Sequence, residues 1–295
     1  MVNYNPKVWF GLIFHSYSRQ VMRTLWPALG FIAAFSLLCC YVILDVFHLH
    51  EGKDYHGFHS TTSMHSLLGI VLGLFLVFRT NSAYERWWEG RRLWGGLVNS
   101  TRNFALKLNA YVSKEDHEER IWFARMISNF VYAMKEGLRE GVQMNQLDLT
   151  KEEADHVKQA KHKPNRLSAL LYEKVNELYL KKKFTGDHLI NLDKELKDFT
   201  DLIGACERIK STPIPYSYTM YIKKFIFIYL ITLPFGFVTT SGYMTVPIVV
   251  LISFVLLSVE LIAEEIEDPF GKDVNDLPTD ELSDKIKQNV QEILL

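Results

Sequence analysis

Cysteine is scarce in this 295-residue chain, with three residues: Cys39, Cys40 and Cys206. Two are adjacent inside an apolar run and the third lies far away, so neither a disulfide framework nor a metal-knuckle spacing exists. All three read as packing residues. Net charge is also lacking, at −1, which excludes a dedicated nucleic-acid protein and the basic surface it needs. No glycine-rich phosphate loop, HExxH pair, nucleophile elbow or metal triad occurs. His117, His156, His162 and His188 are scattered without a partner at useful spacing. No catalytic residue, cofactor or metal is therefore expected, and the chain does not read as an enzyme. Residues 79–222 carry no repeat, and strand-length alternation is absent throughout.

What the chain does have is apolar sequence in blocks. Hydrophobic residues make up 48% and charged ones 23%, but apolar residues concentrate at 25–47, 64–78, 225–240 and 244–263. The region between the second and third blocks is strongly charged. Leu25–Phe47 holds one charge, Asp45, and Met244–Ala263 holds one, Glu260, each near the far end. Both reach the roughly 20 residues that cross about 30 Å of hydrocarbon as a helix. Phe225–Thr240 is shorter and contains Pro234 and Gly236, which membrane helices tolerate when neighbours supply the freed hydrogen bonds. Four spans put both termini on one side.

Basic residues set the expected orientation. Lys7, Arg19 and Arg23 precede the first span, and Arg79, Arg86, Arg91, Arg92 and Arg102 follow the second. The 48–62 connection has only Lys53. Positive-inside bias then places both termini and the central region in the cytoplasm, with the chain multi-pass in the inner (plasma) membrane. The first block is too long for a signal h-region and reads as retained.

The expected division is a cytoplasmic segment at 1–24, a transmembrane hairpin at 25–78 that includes a pore helix at 64–78, a cytoplasmic helical domain at 79–222, a second hairpin at 223–264 and a cytoplasmic C-terminal segment at 265–295. In the central region, Phe123, Met126, Ile127, Phe130, Val131 and Met134 recur at helical spacing and predict one buried stripe over 121–142. Residues 167–182 and 188–210 read as further amphipathic helices, and 148–165 as a solvated loop or short surface helix. The predicted fold class is all-α.

Within the second block Ile70, Leu74 and Phe78 fall at i, i+4 and i+8 and share one face. Gly69 and Gly73 form a GxxxG pair about 100° round the same helix, a pattern that lets another helix approach closely. Two readings fit: a packing motif with the aliphatic residues facing lipid, or a ring of copies with Ile70, Leu74 and Phe78 at the axis of a pore. A narrow apolar constriction of that kind gates by dewetting. The polar stretch His59–Ser66 ahead of the helix suits a wet vestibule better than lipid. One chain supplies one such helix, so a pore implies a cyclic homo-oligomer. Arg86, Trp87 and Trp88 read as an interfacial anchor.

Three motifs in order, RTNSAYERWWEGRRLWG (79–95), ERIKSTPIPYSY (207–218) and EEIEDPFGKDVNDLP (264–278), resemble the bestrophin family of ion channels, in its prokaryotic branch. The resemblance covers about residues 1–280. It implies a homopentamer with four spans per subunit, a helical cytoplasmic domain and one continuous pore on the five-fold axis. It places the family's hydrophobic neck on Ile70, Leu74 and Phe78, and a second, cytoplasmic restriction on Ile214 and Pro215. Without the resemblance Ile214 reads as an ordinary core isoleucine. Pro213 and Pro215 forbid regular helix there and stiffen the turn. Animal members are opened by calcium in a clasp that follows Asn-Pro-Phe-Gly. Here Asp268–Gly271 is followed by Lys272, a cation where an acidic ligand is expected, and Val274 lacks an oxygen, so calcium gating is not expected. Asp273 and Asp276 read as surface charges or helix caps.

The implied partners are four further copies of the chain, the lipid bilayer and permeant monovalent ions, with no nucleic acid. Selectivity is open. Glu260, Glu264, Glu265, Glu267 and Asp268 lean toward cations if they face the cavity, or they pair with the basic run 86–92. His48, His50, His56, His59 and His65 lie in or beside the outer connection, without a known ligand spacing. Rival functions are a secondary transporter, which needs a buried polar site at mid-membrane, and a membrane-anchored scaffold or sensor.

Overall fold

A computed structural model describes residues 16–48 and 56–295, with side chains at 20–48 and from 63 onward. All regular structure among them is helical, as predicted. The helices are α1 (Ser16–Tyr41), α2 (His56–Tyr111), α3 (His117–Gly137), α4 (Lys151–Gln159), α5 (Lys163–Leu180), α6 (Gly186–Ser211), α7 (Tyr216–Ser241), α8 (Thr245–Glu267) and α9 (Thr279–Leu294). They divide into two compact units, one of residues 86–212 with 268–295, the other of residues up to 85 with 213–267. The 56-residue α2 contributes to both.

The first unit is charged outside and aromatic within. The expected α3 stripe, Phe123, Met126, Ile127, Phe130, Val131 and Met134, is buried. Phe104 of α2 meets Phe123 and Phe199 edge-on, with centroids 6.2 and 5.5 Å apart, and Phe199 stacks on Phe130 at 5.2 Å. Edge-to-face and offset pairs of this kind add to what area burial alone contributes. α3 packs against α5 and α9, and α5 against α6. The polar 148–165 insertion forms α4, started by a reciprocal Thr150/Glu153 capping box and fastened by buried Val157. Buried Arg120 donates to the carbonyls of Leu294 at 2.8 Å and Val112 at 3.1 Å. One cation thereby satisfies orphan acceptors at the ends of α9 and α2. Cys39, Cys40 and Cys206 are unpaired and buried, and burial pushes the Cys206 thiol up to about 12. A thiol so disfavoured as thiolate packs rather than reacts.

The second unit is apolar on both faces. α1 packs on α8 and α7, and α7 packs on α8. Gly242, at φ +54° and ψ −137°, makes the turn between α7 and α8, a backbone conformation that side chains resist. Ile32, Leu72, Leu76, Ile226, Leu233 and Val249 form its core. Phe31, Leu38, Phe227, Ile228 and Leu251 lie exposed around it, far more apolar surface than a water-facing unit of this size carries. Three stretches, 20–46, 63–111 and 216–267, are long and apolar enough to cross a membrane, the last of them folding into α7 and α8.

α9 is held to α3 by charge. Asp280 in its first turn receives Arg139 at 2.7 Å and Lys135 at 2.7 Å, and the Arg139 guanidinium holds this carboxyl well below its ordinary range. A carboxyl depressed in the folded state stabilises above its unfolded value, near 3.9, and that stability fades as pH falls through the folded value. Because the Asp280 side chain is 60% exposed, screening limits the effect to about 0.5–1 kcal/mol. Asp280→Asn is expected to lower the melting temperature of detergent-solubilised protein at pH 7. The gap from wild type should hold down to about pH 4 and close below it; a gap independent of pH would assign the loss to packing instead.

Candidate functional site

The surface of α2 between residues 63 and 85 divides sharply. His65, Leu72, Leu76, Arg79 and Ala83 are buried, spaced at 7, 4, 3 and 4 residues, the stripe of a 3.6-residue repeat. Ile70, Leu74 and Phe78 point roughly the opposite way and are 63%, 56% and 60% exposed. Asn81 and Glu85 continue that exposed face. No side chain of the described chain covers the three apolar residues. Their face is left for a neighbouring copy, lipid or a water column.

Gly69 lies beside the packed stripe, and its role is intramolecular. A Cβ there would sit 2.9 Å from Tyr229 Oη of α7, whereas one at Gly73 meets nothing within 4 Å. The two glycines therefore differ: Gly69 admits α7, and Gly73 stays open. His65 belongs to the same contact rather than to an outer-loop cluster. Its Nε2 lies 3.0 Å from Thr232 Oγ1, and its ring packs on Gly236, where a Cβ would come within 3.2 Å. The break at Pro234–Gly236 thus makes room for an imidazole. His50 lies outside the described residues, as do the side chains of His56 and His59.

Sequence reasoning missed Arg79. It read as a flanking basic residue, yet it is fully buried, with Nη2 2.7 Å from Glu267 Oε2 and Nε 3.6 Å from Glu260 Oε1. Buried charges survive only when paired, and removing one partner of such a pair costs about 3–5 kcal/mol. The signal lay in the spacing of α8: Glu260 and Glu267 are seven residues apart, two turns along one face. Glu267 Oε1 also accepts the Ile214 N–H at 2.8 Å. Ile214 is half-buried, and its flanking prolines break the chain between α6 and α7.

Arg86 and Trp87 both donate to the main chain. Arg86 donates to the carbonyls of Thr212 and, at 2.6 Å, of Ile209, capping the end of α6. Trp87 Nε1 donates to the Asn275 carbonyl at 2.9 Å, while Trp88 stacks on Trp87 and stays half-exposed. The 268–278 loop closes on itself: Leu277 N–H reaches the Pro269 carbonyl at 2.9 Å and Asp273 N–H reaches Asp276 Oδ2 at 2.6 Å. Asp276 is buried, so the surface-charge expectation for it is corrected; a loop-closing carboxylate stabilises the turn. Lys272 pairs with Glu140 at 3.3 Å. With a cation inside the loop and one carboxylate spent on a backbone amide, these residues do not fit the oxygen cage that calcium requires.

The acidic cluster is partly compensated, by three cations. Besides Glu260 and Glu267 on Arg79, Glu264 meets Lys223 at 3.0 Å and Asp268 meets Lys210 at 3.5 Å.

Gly69→Ala should destabilise by about 1–3 kcal/mol through overpacking. Tyr229→Phe, which removes the offending oxygen and leaves Cζ 3.6 Å away, should restore it. Thermal-shift size-exclusion measurements on the two single variants and the double check this; an unrescued double variant would show that helix separation, not the hydroxyl, is limiting.

Comparison with known proteins places these features in a family. A family model described as Bacterial/Fungal Bestrophin protein matches residues 1–292. The chain is 36% identical over 229 residues to the voltage-dependent anion channel-forming protein alr2987 of Nostoc, covering 76% of this chain and 75% of that one. It is 30% identical over 282 residues to the voltage-dependent anion channel-forming protein YneE of Escherichia coli K12, covering 95% and 87%. A solved bacterial bestrophin homolog from Klebsiella pneumoniae superposes with TM-score 0.81 at 27% identity, over 90% of this chain and 97% of that one.

Proposed function

The chain belongs to the bacterial and fungal bestrophin family, and from that premise we propose that it is one subunit of a homopentameric channel passing small monovalent ions down their gradient. Family membership makes it a channel protein and not an enzyme. Four membrane spans, α1, the first part of α2, α7 and α8, put both termini and residues 86–212 on the cytoplasmic side, following the basic residues. Ile70, Leu74 and Phe78 form the neck, and Ile214 with Pro215 the second restriction. Gly73, open in the single chain, is left for contact between copies. Trp88 is the ring of the Arg86–Trp88 group that remains for a membrane interface.

The observation that carries this reading is the bare apolar face of α2. It lies roughly opposite a face locked by Leu72, Leu76 and Arg79, so the helix cannot roll to hide it without unburying a charge. Five such faces around an axis make a narrow apolar waist that blocks ions when dry and passes them when wet. The transporter reading loses ground, because Arg79 is committed to two carboxylates rather than to a cargo site.

An apolar neck does not choose the sign of an ion. The acids of α8 give weaker support to a cation preference, since Glu260 and Glu267 share Arg79 and Glu264 pairs with Lys223. Exposed Glu85 takes over that role: it continues the neck face two turns beyond Phe78, and no cation of the described chain pairs with it. We therefore read the channel as favouring cations. The relatives' names favour anions, and that is the alternative. Lys272 and the self-closed 268–278 loop make gating independent of calcium.

Ion flux from liposomes tests the pore. Replacing Ile70, Leu74 and Phe78 together by alanine should raise flux about tenfold, as expected from removing roughly 1.4 kcal/mol of barrier. Equal leakage in both proteins would favour a scaffold, and saturable, solute-coupled uptake a transporter. In a potassium chloride gradient the reversal potential should lie toward potassium and move toward chloride in Glu85→Gln; a wild-type potential at chloride equilibrium would return the anion reading. Chelating calcium or adding it in excess should leave the current unchanged.

A further inference from the structure

We propose that Glu267 is a positioning residue that couples the neck to the second restriction, an inference resting on the channel reading above. One carboxylate serves both. Its Oε2 lies 2.7 Å from Arg79 Nη2 and its Oε1 accepts the Ile214 N–H at 2.8 Å. Arg79 directly follows Phe78, the last residue of the neck, within one unbroken helix. A rotation of α2 that turns Phe78 toward or away from the axis carries Arg79 with it, because a helix moves as a rod.

At the other end the tie is equally specific. In Pro213–Ile214–Pro215 only Ile214 has a backbone N–H, and that donor is given to Glu267. No other main-chain donor in the tripeptide can hold the turn. Glu267 is also the last residue of α8, with a side chain only 15% exposed, so it is not free to exchange either partner for bulk water without cost. Moving Arg79 leaves the carboxylate to follow it or to stay buried without its cation. If the carboxylate follows, Ile214 loses its acceptor and the restriction is released. Glu260, 3.6 Å from Arg79 Nε, holds the guanidinium from two turns back along α8, and the acceptor of the Ile214 N–H is Glu267. The coupling therefore resides in Glu267 and not in the acidic face as a whole.

The two bonds are chemically separable. Glu267→Gln keeps a carbonyl oxygen for the Ile214 N–H and loses the anion that Arg79 needs. The test is a double-mutant cycle of Phe78→Ala and Ile214→Ala, read as the permeability of tetramethylammonium relative to potassium in planar bilayers. With Glu267 intact, the double variant should depart from the product of the single effects by roughly threefold or more, the lower end of coupling between linked groups. With Glu267→Gln the two effects should multiply. A Glu267 that merely stabilises the fold would lower yield and melting temperature and leave the departure unchanged, which overturns the proposal, as does a multiplicative cycle with Glu267 intact. If Glu267→Gln fails to assemble, Arg79→Met with Glu260→Gln and Glu267→Gln removes all three buried charges and keeps the Ile214 acceptor, and the same cycle is read there. Single variants without any effect on permeability would refute the pore itself, a result distinct from uncoupled restrictions.

Discussion

The buried guanidinium of Arg79 is the constraint from which the rest follows. An apolar helix that bears leucine, valine and phenylalanine on nearly every side has no intrinsic preference for which face it packs. Aliphatic contacts are interchangeable at a cost below about 1.5 kcal/mol per volume-conserving swap. A charge removed from solvent is not interchangeable. Placing Arg79 against Glu260 and Glu267 fixes the rotation of α2, and with it the direction in which Ile70, Leu74 and Phe78 point. The same logic gives Tyr229 and Gly69 a supporting role: the close approach of α7 is possible only at that register.

Motifs that look separate in the sequence prove to be one set of ties. Arg86 caps α6 at Ile209 and Thr212, immediately before the proline-broken segment, and Glu267 receives the amide of Ile214 within it. Trp87 reaches the Asn275 carbonyl, and a Cβ at Gly90 would press within 3.2 Å of Phe270 and Leu277. Small size at Gly90 admits the DPFG loop against the RWWEG turn. In this chain that loop is closed by Asp276 and carries Lys272, a structural corner rather than an ion cage.

Much of the fold was legible from periodicity. The α3 stripe and the helices α5 and α6 lie within a few residues of where apolar spacing put them, because each buries one face and spacing records that directly. The prolines at 213 and 215 announced the break between α6 and α7 for a covalent reason. The neck face was legible as three residues on one side of a helix, but not which side the chain itself would cover. That depended on Arg79, whose burial no local pattern discloses: the same arginine next to a span reads as a flanking charge unless its partners, some 180 residues away, are known. Asp276 was misread for a similar reason. A polar loop reads as solvent-exposed, and only the return of the chain onto Gly271 and Asp273 shows the carboxylate turned inward. The histidines grouped by sequence were separated by structure, since His65 sits on a helix face and packs on Gly236.

If the chain forms the proposed channel, charge compensation bears on where its selectivity arises. A carboxylate 2.7–3.6 Å from a cation presents a reduced field to a passing ion, so Glu260, Glu264 and Glu267 contribute position more than potential. Glu85 differs in having no such partner and in lying seven residues past Phe78, about 10 Å along the helix. That distance is close to the Debye length of about 8 Å at physiological ionic strength, and in bulk solution the influence at the neck would be small. Inside a narrow passage with apolar walls, field lines are confined and screening ions are few, so a ring of such carboxylates raises the local concentration of cations at the mouth. On the proposed reading the neck sets whether ions pass and Glu85 which sign arrives there. On that reading a carboxylate and an apolar waist on one face of one helix suffice for both tasks, provided that the other face is held by a buried charge that moves only together with its carboxylate partners.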